Sequence, residues 1–167
     1  MLHRILFVCA LVITARAAEP AAFTTTHSGL QYAILSRGNG PQPQKDQVVF
    51  AHYRGLLGDG VVFDDSRERA TPFVFTLGRG HVIKGWDEGF GLLHVGDKAV
   101  FIVPPELAYG DRARGKIPAN ATLRFEVELI ALKERALSDA LRDAMEKDGV
   151  GAARILFDQL QSEGLAN

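Results

Sequence analysis

Apolar and polar residues alternate along most of the chain, and the alternation predicts strands. Leu30, Tyr32 and Ile34 share one side of a first segment. In 46–54, Val49, Ala51 and Tyr53 fall on one face and Val48, Phe50 and His52 on the other, as a side-chain period of two requires. Gly58-Asp59-Gly60 is a turn signal, so Leu56 and the run Val61-Val62-Phe63 flank a hairpin or wide loop. Phe73 and Phe75 point one way and Val74 the other. The apolar run 99–103 is stopped by Pro104-Pro105. The cleanest alternation runs from Thr122 to Leu132, with Leu123, Phe125, Val127 and Leu129 inward and Arg124, Glu126 and Glu128 outward. That is the pattern of a half-buried antiparallel strand.

One segment breaks the period. In 82–93, Ile83, Trp86 and Phe90 recur at three and four residues, which predicts a one-sided helix. Gly85 and Gly89 lie four apart on it. Glycine costs a helix stability, so these two predict a close approach to a sheet. The implied architecture is α+β: an antiparallel sheet with a short helix laid on it. Beyond Leu132 two apolar stripes follow. Leu137, Ala140, Leu141 and Ala144 end near Gly149, and Ala152, Ile155, Leu156 and Leu160 end at Gly164. With a glycine at each C-cap position, 134–167 reads as a small helical hairpin.

The chain's start has another character. His3 and Arg4 precede nine apolar residues (ILFVCALVI), and Ala15-Arg16-Ala17 follows. A basic start, a short apolar run and a small-x-small site predict a secretory signal peptide over 1–17, cleaved after Ala17. The run is too short to span a bilayer stably, so no membrane attachment is expected after cleavage. The Ala/Thr-rich stretch 18–27 reads as a linker. The processed chain loses Arg4, Arg16 and Cys9 and carries 17 basic against 20 acidic residues. A thiol-free protein suits an oxidising compartment, and periplasm or extracellular space is the expected location.

Composition narrows the chemistry. A net charge of −1 over 167 residues gives no basic footprint for nucleic acid. One Cys excludes a disulfide framework and a cysteine-based zinc site. His3, His27, His52, His81 and His94 are scattered without metal-ligand spacing, so no metal or other cofactor is expected. Gly78-Arg79-Gly80 lacks the third glycine of a dinucleotide loop, and there is no G-K-[ST] or G-x-S-x-G. Asp64 and Asp65 are adjacent, and neighbours on a strand point to opposite faces, so they are not an acid/base dyad. What remains is an aromatic and aliphatic set at element ends: Tyr53, Phe63, Phe73, Val82, Ile83, Trp86, Tyr109, Ile117 and Phe125.

Taken in order with their neighbours, these residues carry a resemblance. His52-Tyr53-Arg54-Gly55 is followed by Gly60-Val61-Val62-Phe63-Asp64-Asp65-Ser66, Pro72-Phe73 and Val82-Ile83-Lys84-Gly85-Trp86-Asp87-Glu88-Gly89. Val95-Gly96-Asp97, Pro104-Pro105-Glu106-Leu107-Ala108-Tyr109-Gly110, the run Ile117-Pro118-Ala119-Asn120-Ala121-Thr122-Leu123 and Phe125-Glu126-Val127-Glu128-Leu129 complete it. Over 28–133 the chain resembles the FK506-binding-protein (FKBP) type of peptidyl-prolyl cis-trans isomerase. The resemblance implies five or six antiparallel strands curled around one short helix, with a substrate pocket between them.

Trp86 would be the pocket floor under a proline ring. Tyr53, Phe73, Val82, Ile83 and Phe125 would be its walls, and Phe63, Tyr109 and Ile117 its rim. The Ile83 N–H and the Tyr109 hydroxyl would donate to the bound peptide. Asp64 would be the one buried carboxylate, held by the Tyr53 hydroxyl and Arg69. Of these, Tyr53, Phe63, Asp64 and Tyr109 would act on the reacting bond and the others would bind or support. The implied partners are proline-containing polypeptides, with FK506-like macrocycles as candidate ligands, and a monomer is expected. The alternative is a chaperone or peptide-binding module that uses the same pocket or the helical tail.

The chain departs from the family pattern at the rim. Its loop 111–116 (Asp-Arg-Ala-Arg-Gly-Lys) is basic and about one residue shorter than is common in the family. Lys116 stands where an apolar residue or Gly is frequent. Asp65 replaces a small polar residue, and His81 stands where an acid or amide is common.

Overall fold

A computed structural model describes residues 22–133 and, beyond them, Ile155, which is helical and exposed. The expected signal peptide (1–17), the start of the linker and the helical hairpin (134–167) lie outside the described residues. Among the described residues seven strands, all pairing antiparallel, form one sheet: β1 (Thr24–Thr25), β2 (Gln31–Ser36), β3 (Val48–Leu56), β4 (Val62–Asp65), β5 (Phe73–Thr76), β6 (Lys98–Val103) and β7 (Leu123–Lys133). The helix α1 (Lys84–Phe90) packs on it. The spatial order is β1-β2-β6-β7-β3-β4, and β5 pairs with the other half of β3.

The strand count exceeds the expected five or six because the end of the linker folds. Thr24 and Thr25 pair with Tyr32 and Gln31. The turn is closed by Thr26 N–H donating to the Leu30 carbonyl at 2.8 Å and needs Gly29 at φ +95°. The helix is shorter than its apolar pattern. Val82 and Ile83 are not helical, and Ile83 is the extended N-cap at ψ 148°.

The core lies between α1 and the inner sheet face. Leu123, Phe125, Val127 and Leu129 of β7 are buried there, as are Val49, Ala51 and Tyr53 of β3. A register shift opposite Phe50 and Ala51 leaves Ile130 as an extra residue, so Val49 pairs with Leu132. The bulge reverses the inward phase of β7 at its end. The other face of β3 is apolar too at Val48 and Phe50, and both are buried.

The two helical glycines allow the close approach expected of them. A Cβ on Gly85 would lie 2.5 Å from Val103, and one on Gly89 2.8 Å from the Phe101 ring. With no side chain at either place, α1 sinks against β6 and turns Trp86 and Phe90 into the core.

Candidate active site

The middle of β3, the ends of β4, β5 and β7, and the start of α1 converge on a cleft of about 170 Å³. It is lined by Tyr53, Phe63, Asp64, Phe73, His81, Val82, Ile83, Trp86, Tyr109 and Phe125. That is smaller than the roughly 300–1,000 Å³ of sites for drug-sized ligands and cofactors. It suits a guest the size of one ring.

Trp86 is 4% exposed at the centre of the aromatic packing. Ring centroids of Tyr53, Phe125, Phe90, Phe73 and Phe75 lie 4.8, 5.1, 5.3, 5.5 and 5.9 Å from it. Edge-to-face pairs of this kind add to simple area burial. The indole N–H is buried and has no hydrogen-bond partner among the described residues. Phe63 stands edge-on to Phe125 at 5.7 Å. It can lie across β3 because position 55 is glycine: a Cβ there would meet the Phe63 ring at 2.5 Å.

The polar side of the cleft is one cluster. The Tyr53 hydroxyl donates to Asp64 Oδ2. Arg69 donates from Nη1 to Asp64 Oδ1 at 2.5 Å and from Nη2 to the Tyr53 hydroxyl at 3.1 Å. Local chemistry aims this trio. Asp65 caps the short 3-10 turn Ser66–Arg69 by accepting from the Arg67 N–H. The buried Ser66 hydroxyl accepts from the Tyr53 N–H at 2.9 Å and donates to the Tyr53 carbonyl at 3.2 Å.

The loop ahead of α1 is held by the helix itself, since Asp87 accepts from the N–H groups of Gly78 and Gly80. That sets Val82 and Ile83 at the mouth. Among the described residues the Ile83 N–H meets no acceptor, and its carbonyl accepts from Trp86 and Asp87.

Two expectations are corrected. Asp64 is not the buried carboxylate, because its side chain is 35% exposed at the cleft edge. Among the described residues the fully buried one is Asp97, which accepts from the N–H groups of Gly38 at 2.7 Å and His94 at 2.9 Å. Ile117 does not line the cleft. It is 7% exposed within the core cluster, because a pair of backbone hydrogen bonds with Arg114 turns it inward. Arg69 acts from behind the lining, and His81, noted in the sequence as a departure, is part of it. The role of Asp97 was missed. Its local signal is an acid wedged between Gly96 and the strand β6.

Titration follows this geometry. Tyr53 is pushed up to about 12 by burial first, then by the hydrogen bond and charge of Asp64, with Arg69 opposing. For Asp64, burial acts upward but is outweighed by hydrogen bonds from Arg69 and Tyr53 and by the arginine charge, so its carboxyl lies below the usual range. A depressed carboxylate pKa contributes stability above its unfolded value of about 3.9, lost as pH falls through the lower folded value. The Asp64 carboxyl followed by NMR should therefore titrate below its ordinary midpoint. In Tyr53→Phe that midpoint should move upward. A midpoint at the ordinary value, or one unmoved in the variant, would contradict the cluster.

The model of the family described as FKBP-type peptidyl-prolyl cis-trans isomerase matches residues 40–130. A relative named FKBP-type peptidyl-prolyl cis-trans isomerase FkpA, from Aeromonas hydrophila, is 44% identical over 119 residues, covering 71% of this chain and 44% of the relative. The Drosophila melanogaster protein named Peptidyl-prolyl cis-trans isomerase Fkbp12 is 48% identical over 107 residues, covering 63% of this chain and 99% of that one. The chain thus matches less than half the length of the first relative and nearly all of the second. Among solved structures, FkpA from Escherichia coli superposes with a TM-score of 0.64 at 40% identity, over 68% of this chain and 52% of the other. The chain belongs to the family of FKBP-type peptidyl-prolyl cis-trans isomerases.

Proposed function

We propose that the protein is a prolyl isomerase for exported polypeptides, with its active domain over 28–133 and a leader over 1–17 removed on export. The observation that carries the reading is the Trp86-floored cleft, in which the residues singled out from the sequence, Ile117 and Arg69 apart, share one lining. Rotation about an X-Pro bond must overcome roughly 18–20 kcal/mol of lost amide resonance. Uncatalysed exchange takes tens to hundreds of seconds. No bond is made or broken, so neither a nucleophile nor an acid/base dyad is demanded.

Resonance places partial charges on the amide oxygen and nitrogen. An apolar, water-poor cleft disfavours that separated charge and favours the twisted amide. In this reading Trp86 seats the proline ring, and Tyr53, Phe73, Val82 and Phe125 grip its sides. Phe63 covers it from the β4 edge. The Ile83 N–H and the Tyr109 hydroxyl donate to the peptide in its bent geometry, which is differential binding of the transition state. The Tyr53-Asp64-Arg69 cluster fixes Tyr53 and presents a fixed dipole at the cleft edge. A barrier lowered by about 5–7 kcal/mol would speed exchange by roughly 10⁴–10⁵-fold.

A coupled prolyl-isomerisation assay over a series of X-Pro peptides tests the reading. The wild-type chain should accelerate exchange, and Phe63→Ala and Asp64→Ala should each lower kcat/KM by about tenfold or more, a barrier change of at least ~1.4 kcal/mol. A wild-type rate equal to background would overturn it. FK506-like macrocycles are expected to compete for the same cleft. Removal of 134–167 should leave kcat/KM on short peptides unchanged if the tail serves another role.

A further inference from the structure

Resting on that isomerase reading, the geometry points to Arg114 as a specificity residue that favours clients carrying a carboxylate within two residues of the proline. The chain as a whole has a net charge of −1, yet loop 111–116 carries Arg112, Arg114 and Lys116 against Asp111. All three cations are exposed. Among the described residues none of them has a carboxylate within ion-pair distance. The other arginines among the described residues are committed: Arg37 to Asp97, Arg54 to Asp65, Arg67 to Glu128, Arg69 to Asp64, Arg79 to Asp46 and Arg124 to Glu126.

The loop's fold sets where the Arg114 charge sits. Arg114 and Ile117 exchange two backbone hydrogen bonds of 2.8 Å across a tight turn, with Gly115 at φ +53°. Ile117 anchors the turn in the core. At the loop's other end, Gly110 donates to the Pro105 carbonyl and accepts from the Asn120 N–H at 2.7 Å. Held this way, the Arg114 guanidinium lies over the Tyr109 ring, 5.4 Å from its centroid. Tyr109 lines the cleft.

Stacking on an aromatic face leaves the guanidinium edge donors available to a planar carboxylate. The acids around the cleft do not compete for it. Asp64 is bound by Tyr53 and Arg69, and Asp87 by the Gly78 and Gly80 N–H groups. Asp111 and Glu106 are the remaining acids nearby in sequence. Lys84, the first residue of α1 and the neighbour of the lining residue Ile83, is exposed and adds a further positive charge. A peptide threaded through the cleft therefore passes a fixed positive rim, although the molecule as a whole is slightly acidic.

Paired peptides that differ only as Glu and Gln isolate charge from shape. They are placed one or two residues before, or one or two after, the same proline. At low salt the wild-type ratio of kcat/KM for Glu over Gln should be about three- to fivefold at one or more of these positions, the size of an exposed ion pair. It should fall toward one at about 1 M salt, where screening acts within about 3 Å. Arg114→Gln should bring the ratio toward one, and Arg114→Lys should keep part of it.

A ratio of one for the wild-type chain at every position, or a ratio that survives Arg114→Gln, would overturn the inference while leaving the isomerase reading intact. Background rates on all the peptides, Gln versions included, would overturn both.

Discussion

Asp97→Ala should lower the free energy of unfolding by about 3–5 kcal/mol, a large fraction of the ~5–15 kcal/mol that holds a typical domain folded. Asp97 is the fully buried carboxylate of the fold, and its two oxygens accept from the N–H groups of Gly38 and His94. Deleting it leaves two part-buried donors unpaired, and each costs roughly 1–3 kcal/mol when it finds no other partner. Its ion pair with Arg37, at 3.6 Å, adds little to that sum because Arg37 is 65% exposed.

The segments that Asp97 joins are otherwise packed backbone to backbone. A Cβ on Gly38 would lie 2.1 Å from the Val95 carbonyl oxygen, so no side chain there could fill the gap. Urea unfolding followed by the fluorescence of Trp86, the chain's one tryptophan, gives the number directly. Asp97→Asn keeps one acceptor and should fall between the wild type and Asp97→Ala. An Asp97→Ala protein within about 1 kcal/mol of the wild type would show that the two donors find other partners. Because Asp97 lies outside the cleft lining, kcat/KM per folded molecule should hold in both variants.

Trp86→Leu should differ in losing activity as well as stability. Leucine keeps the site apolar and helical but removes the flat surface that meets five other rings. Stability should fall by about 2–4 kcal/mol, the range for a large buried side chain cut down to a smaller one. The kcat/KM for X-Pro peptides should fall by tenfold or more, since the proline ring loses its seat and water enters the cleft. Circular dichroism verifies that the variant is folded, and the peptide assay is then run well below its midpoint. A folded Trp86→Leu protein with kcat/KM within twofold of the wild type would remove Trp86 from the floor of the site. Activity per folded molecule then separates the two: held in Asp97→Ala, lost in Trp86→Leu.

Much of this molecule is written locally. The strand segments follow from alternation, the helix from the spacing of Ile83, Trp86 and Phe90, and the close helix–sheet approach from Gly85 and Gly89. The aromatic set was legible because rings placed at element ends, in that order, carry the family resemblance, and nine of the eleven predicted site residues share the cleft lining. The two corrected expectations, the depth of Ile117 and of Asp64, have one cause. Ile117 and Asp64 were assigned depth from their position in a pattern, and depth depends on what packs from elsewhere in the chain. Ile117 is drawn inward by its pairing with Arg114, and Asp64 stays at the surface because the cleft opens beside it.

By itself the sequence determined the periods, the turns, the aromatic inventory and the absence of nucleophile or metal-ligand motifs, because each is a property of neighbours along the chain. Only the tertiary structure decided which acid is buried, where β7 slips its register, that the linker's end pairs as a strand, and that Arg114 stacks on Tyr109. Those are contacts between residues distant in sequence or set by a folded loop, and no local pattern encodes the distances on which their energies depend.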